Sequence, residues 1–318
     1  MVNVCTVNVG TLRGRSRELV EMLSRRKISI CCIQEVRYRN EGARSIGTGN
    51  EKYKLWYSGN DEASNGVGIL VCHDIVENVV EIERHGDRII KAKIVFGSTI
   101  YHVLSVYAPQ AGRTDAEKDE FWEKLEDLVS VIPERDGIVV AGDLNGHIGH
   151  ARSGYEDVMG VYNFGDVNEE GRTILNFCKN QKLRISNTFF NKSRQKLITF
   201  KSGESETQID FVLYRPRRGF QVRDCAAIPG ESCLTQHRLV RAKFWISDYT
   251  ARKWKGSKKP KVWKLKNEET RARFEAKFRE KLQLREISWS AMQESISEAC
   301  REVCGMTTGR RGLEERET

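Results

Sequence analysis

Six short apolar runs in the first 247 residues stop or start on a polar side chain that a buried strand has no structural need for. Val2–Val9 alternates apolar and polar residues and carries Asn8. The run ISICCIQ over Ile28–Gln34 leads into Glu35, and LSVYAP presents Tyr107. GIVVAG over Gly137–Gly142 is followed by Asp143 and Asn145. Asp210 opens the strand-like stretch within QIDFVLY, and His237 precedes LVRAKF. Any one of these residues is at home in a turn or a solvated loop. As an ordered series they limit the possible folds. Strands that end on the same rim of a sheet converge their end residues on one site.

The remaining pattern is consistent with such a sheet. Further strands are predicted over Tyr53–Ser58, Val67–Cys72, Ile89–Phe96 and Thr99–Tyr107, with Phe96-Gly-Ser-Thr99 marking a tight hairpin. Others are predicted over Leu183–Asn187, Leu197–Lys201, Gln208–Tyr214, Phe220–Ala227 and Leu239–Trp245. Helices are expected over Ser16–Lys27, Asp115–Ile132 and Glu169–Lys182, the second capped by Thr114 or Asp115. Strands outnumber helices and no regular βαβ repeat appears. The expected class is therefore α/β with two packed sheets and helices outside them, not a Rossmann or barrel arrangement.

After Trp245 the character changes. Residues 248–266 read as a basic linker, with eight Lys/Arg and no acid from Arg252 to Lys266. Trp254 and Trp263 lie within it, and aromatics among cations suit contact with nucleic acid. Residues 267–318 read as a helical extension. Lys258–Lys261 has the form of a nuclear address, so a nuclear location is expected. No stretch reaches the length of a membrane helix, and the start does not read as a signal peptide. The nine cysteines are scattered without CxxC pairs and are expected to be reduced.

The residue types point to phosphodiester hydrolysis, which needs an activated water, a cation on the phosphate and donors for developing charge. Glu35 is a hard oxygen ligand suited to Mg²⁺, with Asn8 nearby. Asp143 can take a proton from water, with Asn145 and Asn8 to orient it. Tyr107 can donate to a phosphate oxygen. His237 can stabilise the crowded phosphorus, with Asp210 fixing its tautomer.

The series N-V-G-T-L, I-Q-E, V-Y-A-P, G-D-L-N-G, Q-I-D-F and Q-H-R-L-V resembles the endonuclease/exonuclease/phosphatase superfamily over residues 1–247. Within it the chain resembles the apurinic-like endonuclease domain of RTE-class LINE retrotransposons and craniofacial development protein 2-like relatives. The resemblance implies a four-layer sandwich of two mixed β-sheets flanked by helices, Mg²⁺ or Mn²⁺ dependence, and nicking of DNA. It implies Glu35 and Asn8 at the metal, Tyr107 at the phosphate, Asp143 and Asn145 at the water, and an Asp210–His237 dyad. Phe200, in a hairpin similar to the family's, is a candidate for stacking on sugar or base. Arg37, Arg113 and Lys201 are candidates for phosphate contact.

Two departures matter. Many relatives carry Asp directly before the final His, where this chain has Gln236. Some carry a carboxylate two residues after the Asn, where this chain has Gly10. Two alternatives therefore stay open: hydrolysis of another phosphate ester, or a catalytically impaired, transposon-derived protein that binds nucleic acid or a partner. His147 and His150 read as loop residues rather than metal ligands.

Overall fold

A computed structural model describes residues 1–231, 236–247, 260–283 and 289–306. The chain runs through β1 (Val2–Asn8), α1 (Ser16–Arg25), β2 (Ile30–Gln34), β3 (Glu41–Ile46), β4 (Tyr53–Ser58), β5 (Val67–Cys72) and β6 (Val79–Arg84). It continues through β7 (Ile89–Phe96), β8 (Thr99–Tyr107), α2 (Asp115–Ser130), β9 (Gly137–Asp143), α3 (Glu169–Asn180), β10 (Arg184–Ile185) and α4 (Arg194–Leu197). Then come β11 (Phe200–Ser202), β12 (Ser205–Thr207), β13 (Asp210–Tyr214), β14 (Phe220–Ile228), β15 (Leu239–Ile246), α5 (Glu268–Gln283) and α6 (Trp289–Cys304).

Thirteen of these strands make two sheets. A seven-stranded sheet is ordered β14-β15-β1-β2-β5-β4-β3 and a six-stranded sheet β10-β13-β9-β8-β7-β6, while β11 and β12 form a separate hairpin. Each large sheet has one parallel pair at its centre, β1 with β2 and β8 with β9, and antiparallel strands elsewhere. Three apolar clusters account for the layering. Val4, Ile30 and Ile69 of one sheet meet Ile94, Val103, Val139 and Val212 of the other. On the outer faces, Leu19, Val20 and Leu23 of α1 cover Cys5, Val7, Cys31 and Ile33. Phe121, Leu125 and Val129 of α2, with Ile174 and Phe177 of α3, cover Leu104, Val106, Ile138 and Val140. Alternation within each strand sends successive residues to opposite clusters, which produces the four-layer α/β sandwich.

Local chemistry sets the helix starts. Thr114 and Glu117 form a reciprocal capping box at α2, with Glu117 N–H donating to Thr114 Oγ1 at 3.3 Å and Thr114 N–H to Glu117 Oε2 at 3.0 Å. Asn168 Oδ1 accepts from Gly171 N at 2.8 Å and caps α3. The predicted hairpin forms, with Phe96 opposite Thr99 and Gly97 at φ +60°.

The departures from the sequence reading have local causes. β3 is a largely exposed edge strand of sequence EGARSI, so no apolar pattern announces it. The strand expected over Leu197–Lys201 is divided between α4 and β11, because Thr199 turns inward to cap the start of β13. The strand expected over Leu183–Asn187 shortens to β10, and Ser186–Thr188 forms a 3-10 turn.

The chain divides into two compact units, Met1–Arg252 and Lys253–Thr318. Residues 248–259, which hold most of the expected basic linker and the first half of the Lys258–Lys261 motif, lie outside the described residues. In the second unit α5 and α6 are joined by ion pairs from Lys281 to Glu302 at 2.6 Å and to Glu298 at 3.3 Å. All eight described cysteines are free thiols. Among the described residues, no helix is long and apolar enough to cross a membrane.

Candidate active site

The parallel pairs of the two sheets face each other, and their C-terminal ends supply the site. In the six-stranded sheet Tyr107 lies opposite Asp143 and Asp143 opposite Asp210, so a phenol and two carboxyl groups stand side by side on β8, β9 and β13. In the other sheet Asn8 lies opposite Gln34, one residue before Glu35. Gly142 lets β9 approach β8 closely, since a Cβ there would lie 1.9 Å from the Val106 carbonyl oxygen. Glu35 and Asn145 follow their strands with positive φ, +55° and +49°. For Asn this is tolerated; for Glu it is strained by about 1 kcal/mol or more, held by the surrounding contacts.

Asn8 connects the two sheets. Its Nδ2 donates to Glu35 Oε1 at 2.9 Å and to Asp143 Oδ2 at 3.1 Å, while its Oδ1 accepts from Gly10 N–H at 2.9 Å. Glu35 also accepts from the Tyr107 hydroxyl at 3.0 Å and from Arg37 at 2.6 Å. Burial pushes the Glu35 carboxyl up. Hydrogen bonds from Asn8, Arg37 and Tyr107 outweigh it and hold the group below the usual carboxylate range. The Tyr107 phenol is raised well above its usual value by burial and by the charges of Glu35 and Asp143, so it stays protonated.

Asp143 is buried, and its Oδ1 accepts from the Asn145 backbone N–H at 3.1 Å. The Asn145 side chain is itself anchored, donating to the Ala108 carbonyl at 2.8 Å. Burial and the charge of Asp210 push Asp143 up to about 7, against the opposing pull of His237 and Asn8. His237 Nδ1 donates to Asp210 Oδ2 at 3.0 Å, and its Nε2 faces Asp143 Oδ2 at 3.8 Å. Burial pulls the imidazole down, but Asp210, by charge and hydrogen bond, and Asp143 outweigh it and push the ring up to about 9.

Asp143, Asp210 and His237 bring one ligand atom each within 4.8 Å of one another, an acidic cluster able to close on a cation. An imidazolium, however, has no lone pair to give. Glu35 and the Asn8 Oδ1 offer hard oxygens with capacity left beyond their present bonds, and so suit a divalent cation better. His147 and His150 are not part of this cluster.

The candidate substrate contacts separate into two groups. Arg37 pairs with Glu35, and the Phe200 ring lies 4.8 Å from the His237 ring, so both border the site. Lys201 pairs with Glu206 at 3.1 Å and lines the cavity beside His237, whereas Arg113 pairs with Glu117 at 3.5 Å. Gln236 is exposed. Its Nε2 donates to Ser202 Oγ at 3.2 Å and its carbonyl accepts from Lys201 N–H at 2.9 Å, which ties the β11–β12 hairpin to the segment bearing His237.

Several supporting residues escape a reading of the sequence. Thr199 Oγ1 accepts from the N–H groups of Ile209 and Asp210, both at 3.0 Å. Asn187 donates to the Asp210 carbonyl at 3.0 Å and accepts from Val212 N–H at 3.0 Å. Gln110 donates to the Tyr107 hydroxyl at 3.2 Å, and Arg88 lies over the Tyr107 ring at 5.1 Å. Only the spacing of Gln110, three residues after Tyr107 in Y-A-P-Q, leaves a trace in the sequence.

Comparisons with known proteins bear on the family and the fold. Craniofacial development protein 2 from Bos taurus is 28% identical over 245 residues, which are 76% of this chain and 40% of that protein. The chain thus spans about 40% of the length of the curated relatives it matches. The catalytic domain of Xenopus laevis APE2 superposes with a TM-score of 0.59 at 15% identity, covering 77% of this chain and 92% of that one. The endonuclease domain of TRAS1, a telomere-specific non-LTR retrotransposon, gives a TM-score of 0.50 at 15% identity, covering 77% and 99%. At such identities the two structures speak to the fold alone. The Endonuclease/Exonuclease/phosphatase family pattern runs through residues 5–248, from β1 through the whole rim of polar residues, and the chain belongs to that family.

Proposed function

We propose that the chain is a metal-dependent phosphodiesterase that nicks DNA. The observation that carries this reading is the position of Asp143. It is buried between the amide of Asn8 and the imidazolium of His237, with its carboxyl pushed up to about 7. A base with that affinity for protons accepts one from water at neutral pH and releases it again.

Glu35 and Asn8 would hold a divalent cation, Mg²⁺ or Mn²⁺, which when bound supplies Lewis-acid polarisation of the phosphate. Every other part of the chemistry falls to the chain. Asp143 takes the proton of the attacking water as the new P–O bond forms and the bond to the leaving sugar oxygen breaks. Asn8 and the Asn145 N–H fix the direction of its carboxylate. The imidazolium of His237, kept charged by Asp210, faces the negative charge that develops on the phosphoryl oxygens. Tyr107 and Arg37 hold Glu35 in place. Arg37 beside Glu35, Arg88 over the Tyr107 ring and Lys201 beside His237, with the DNA-processing proteins of the same fold, favour DNA over a lipid phosphate.

The test is nicking of supercoiled plasmid with Mg²⁺, with EDTA and Asp143→Ala as controls. Conversion to open circles that vanishes in both controls is expected. A folded protein that binds DNA and leaves the plasmid intact would favour the impaired, transposon-derived alternative. A duplex with one abasic site would then separate lesion-directed from target-selective cleavage.

A further inference from the structure

We propose that the turn leading into α5 is a second nucleic-acid site, on which Trp263 stacks against a base of a single strand while Lys264 and Lys266 take neighbouring phosphates. The inference stands apart from the phosphodiesterase reading and involves none of its residues.

Three observations support it. First, the apolar surface is in the open. Trp263 is 56% exposed and its neighbour Val262 55%, against 38% for Trp245 and 37% for Tyr162. Burying an aromatic of this size is favourable, and the described part of this unit leaves the indole largely in the open.

Second, the turn is built rather than loose. Lys261 N–H donates to the Gly305 carbonyl at 2.9 Å, and Pro260 bridges to Met306, which ties the turn to the end of α6. Lys264 N–H donates to the Lys261 carbonyl at 2.9 Å. Beyond it Asn267 caps α5, accepting from Thr270 N–H at 3.0 Å. The indole is therefore presented from a short 3-10 turn, Val262–Lys266, held at both ends. A preorganised aromatic binds at less entropic cost than one on a free linker.

Third, the cations of the turn lie outside the ion pairs of this unit, with Glu268 and Glu269 following them in the first turn of α5. Among the described residues, the ion pairs of this unit run through Lys277 and Lys281 to Glu280, Glu298 and Glu302. Lys261, Lys264, Lys266, Arg271 and Arg273 enter none of them. Cations left unpaired beside an exposed ring are the chemistry of a single-strand platform. The ring accepts any base face, and the cations follow the backbone.

The test uses the full chain carrying Asp143→Ala, without divalent metal, titrated against fluorescein-labelled oligodeoxythymidine over a series of salt concentrations. Trp263→Ala should weaken binding by about fivefold or more, and Trp263→Phe should recover most of that loss. Lys264→Glu with Lys266→Glu should make the slope of log K against log salt shallower by about 1.4, near 0.7 for each phosphate no longer neutralised. The two lysines are exposed, so their replacement leaves the hairpin folded, as circular dichroism would verify. A double lysine variant with unchanged affinity and salt slope overturns the proposal, even if Trp263→Ala perturbs the unit. The surface would then belong to a protein contact. Plasmid nicking by the chain with Asp143 intact tests the other reading separately.

Discussion

Glu35 and His237 carry the charges that matter most, and each makes a separate claim. Glu35 is held low by three hydrogen-bond donors, so it presents an ionised, directed oxygen to the proposed cation. Glu35→Gln keeps the shape and removes the charge. Loss of groups that only support a ligand commonly weakens metal binding by about 10- to 100-fold, so losing the ligand should weaken it at least tenfold. Calorimetric titration with Mg²⁺ reads this directly, and an unchanged isotherm would place the cation elsewhere. His237 makes a claim about pH. Its folded value is about 9, against about 6.5 for an unperturbed imidazole. The folded state keeps a proton that the unfolded chain has released. The stability it contributes is therefore fully present below about 6.5 and is lost as pH rises through about 9. Melting of the metal-free protein should decline across that window and be flatter in His237→Gln. Equal slopes in the two proteins would mean that the Asp210–His237 pair does not hold the proton.

Elements, not single residues, explain why these groups converge. The parallel pair β8–β9 sets Tyr107 beside Asp143, and the closeness of the two strands rests on Gly142. A methyl group there would collide with the Val106 backbone, which cannot move without opening the ladder. Gly142→Ala should lower stability by about 1–3 kcal/mol and depress nicking more than its effect on folding explains, because Asp143 and Tyr107 shift together. Urea unfolding beside single-turnover nicking measures both; a variant with native stability and rate would show that the strands adjust freely. At this scale the sequence is most readable. Strands such as β2, β8 and β9 are apolar because both faces are covered, and their polar end residues stand out for that reason. β3 lacks the signal because an edge strand with exposed faces needs no apolar residues. Residues whose work is done by hydrogen bonds to backbone, such as Thr199 and Asn187, look like ordinary loop polar residues until the strand they cap is in place. Gln236 stands out in the sequence for the Asp it replaces. Its actual partner, Ser202 on the β11–β12 hairpin, depends on tertiary structure that no local pattern records.

At the scale of the whole molecule, the two units carry different physics. Every hydrogen bond and ion pair of the candidate active site lies within Met1–Arg252, as do the three apolar clusters that build the sandwich. A unit with its own core and its own site should fold without the other. Expressed alone, residues 1–252 should therefore unfold in a single cooperative transition and, with Mg²⁺, still nick supercoiled plasmid. The same fragment should lose the single-strand affinity assigned to the Trp263 turn, and its binding to duplex should depend less steeply on salt, because the cations around that turn are gone. Melting, plasmid nicking and oligodeoxythymidine titration on one preparation distinguish the outcomes. A fragment that melts broadly would mean that the sandwich needs the C-terminal unit for its stability. A fragment that folds but cannot nick would make the helical unit part of the catalytic machinery, a dependence that none of the hydrogen bonds around Asp143 suggests.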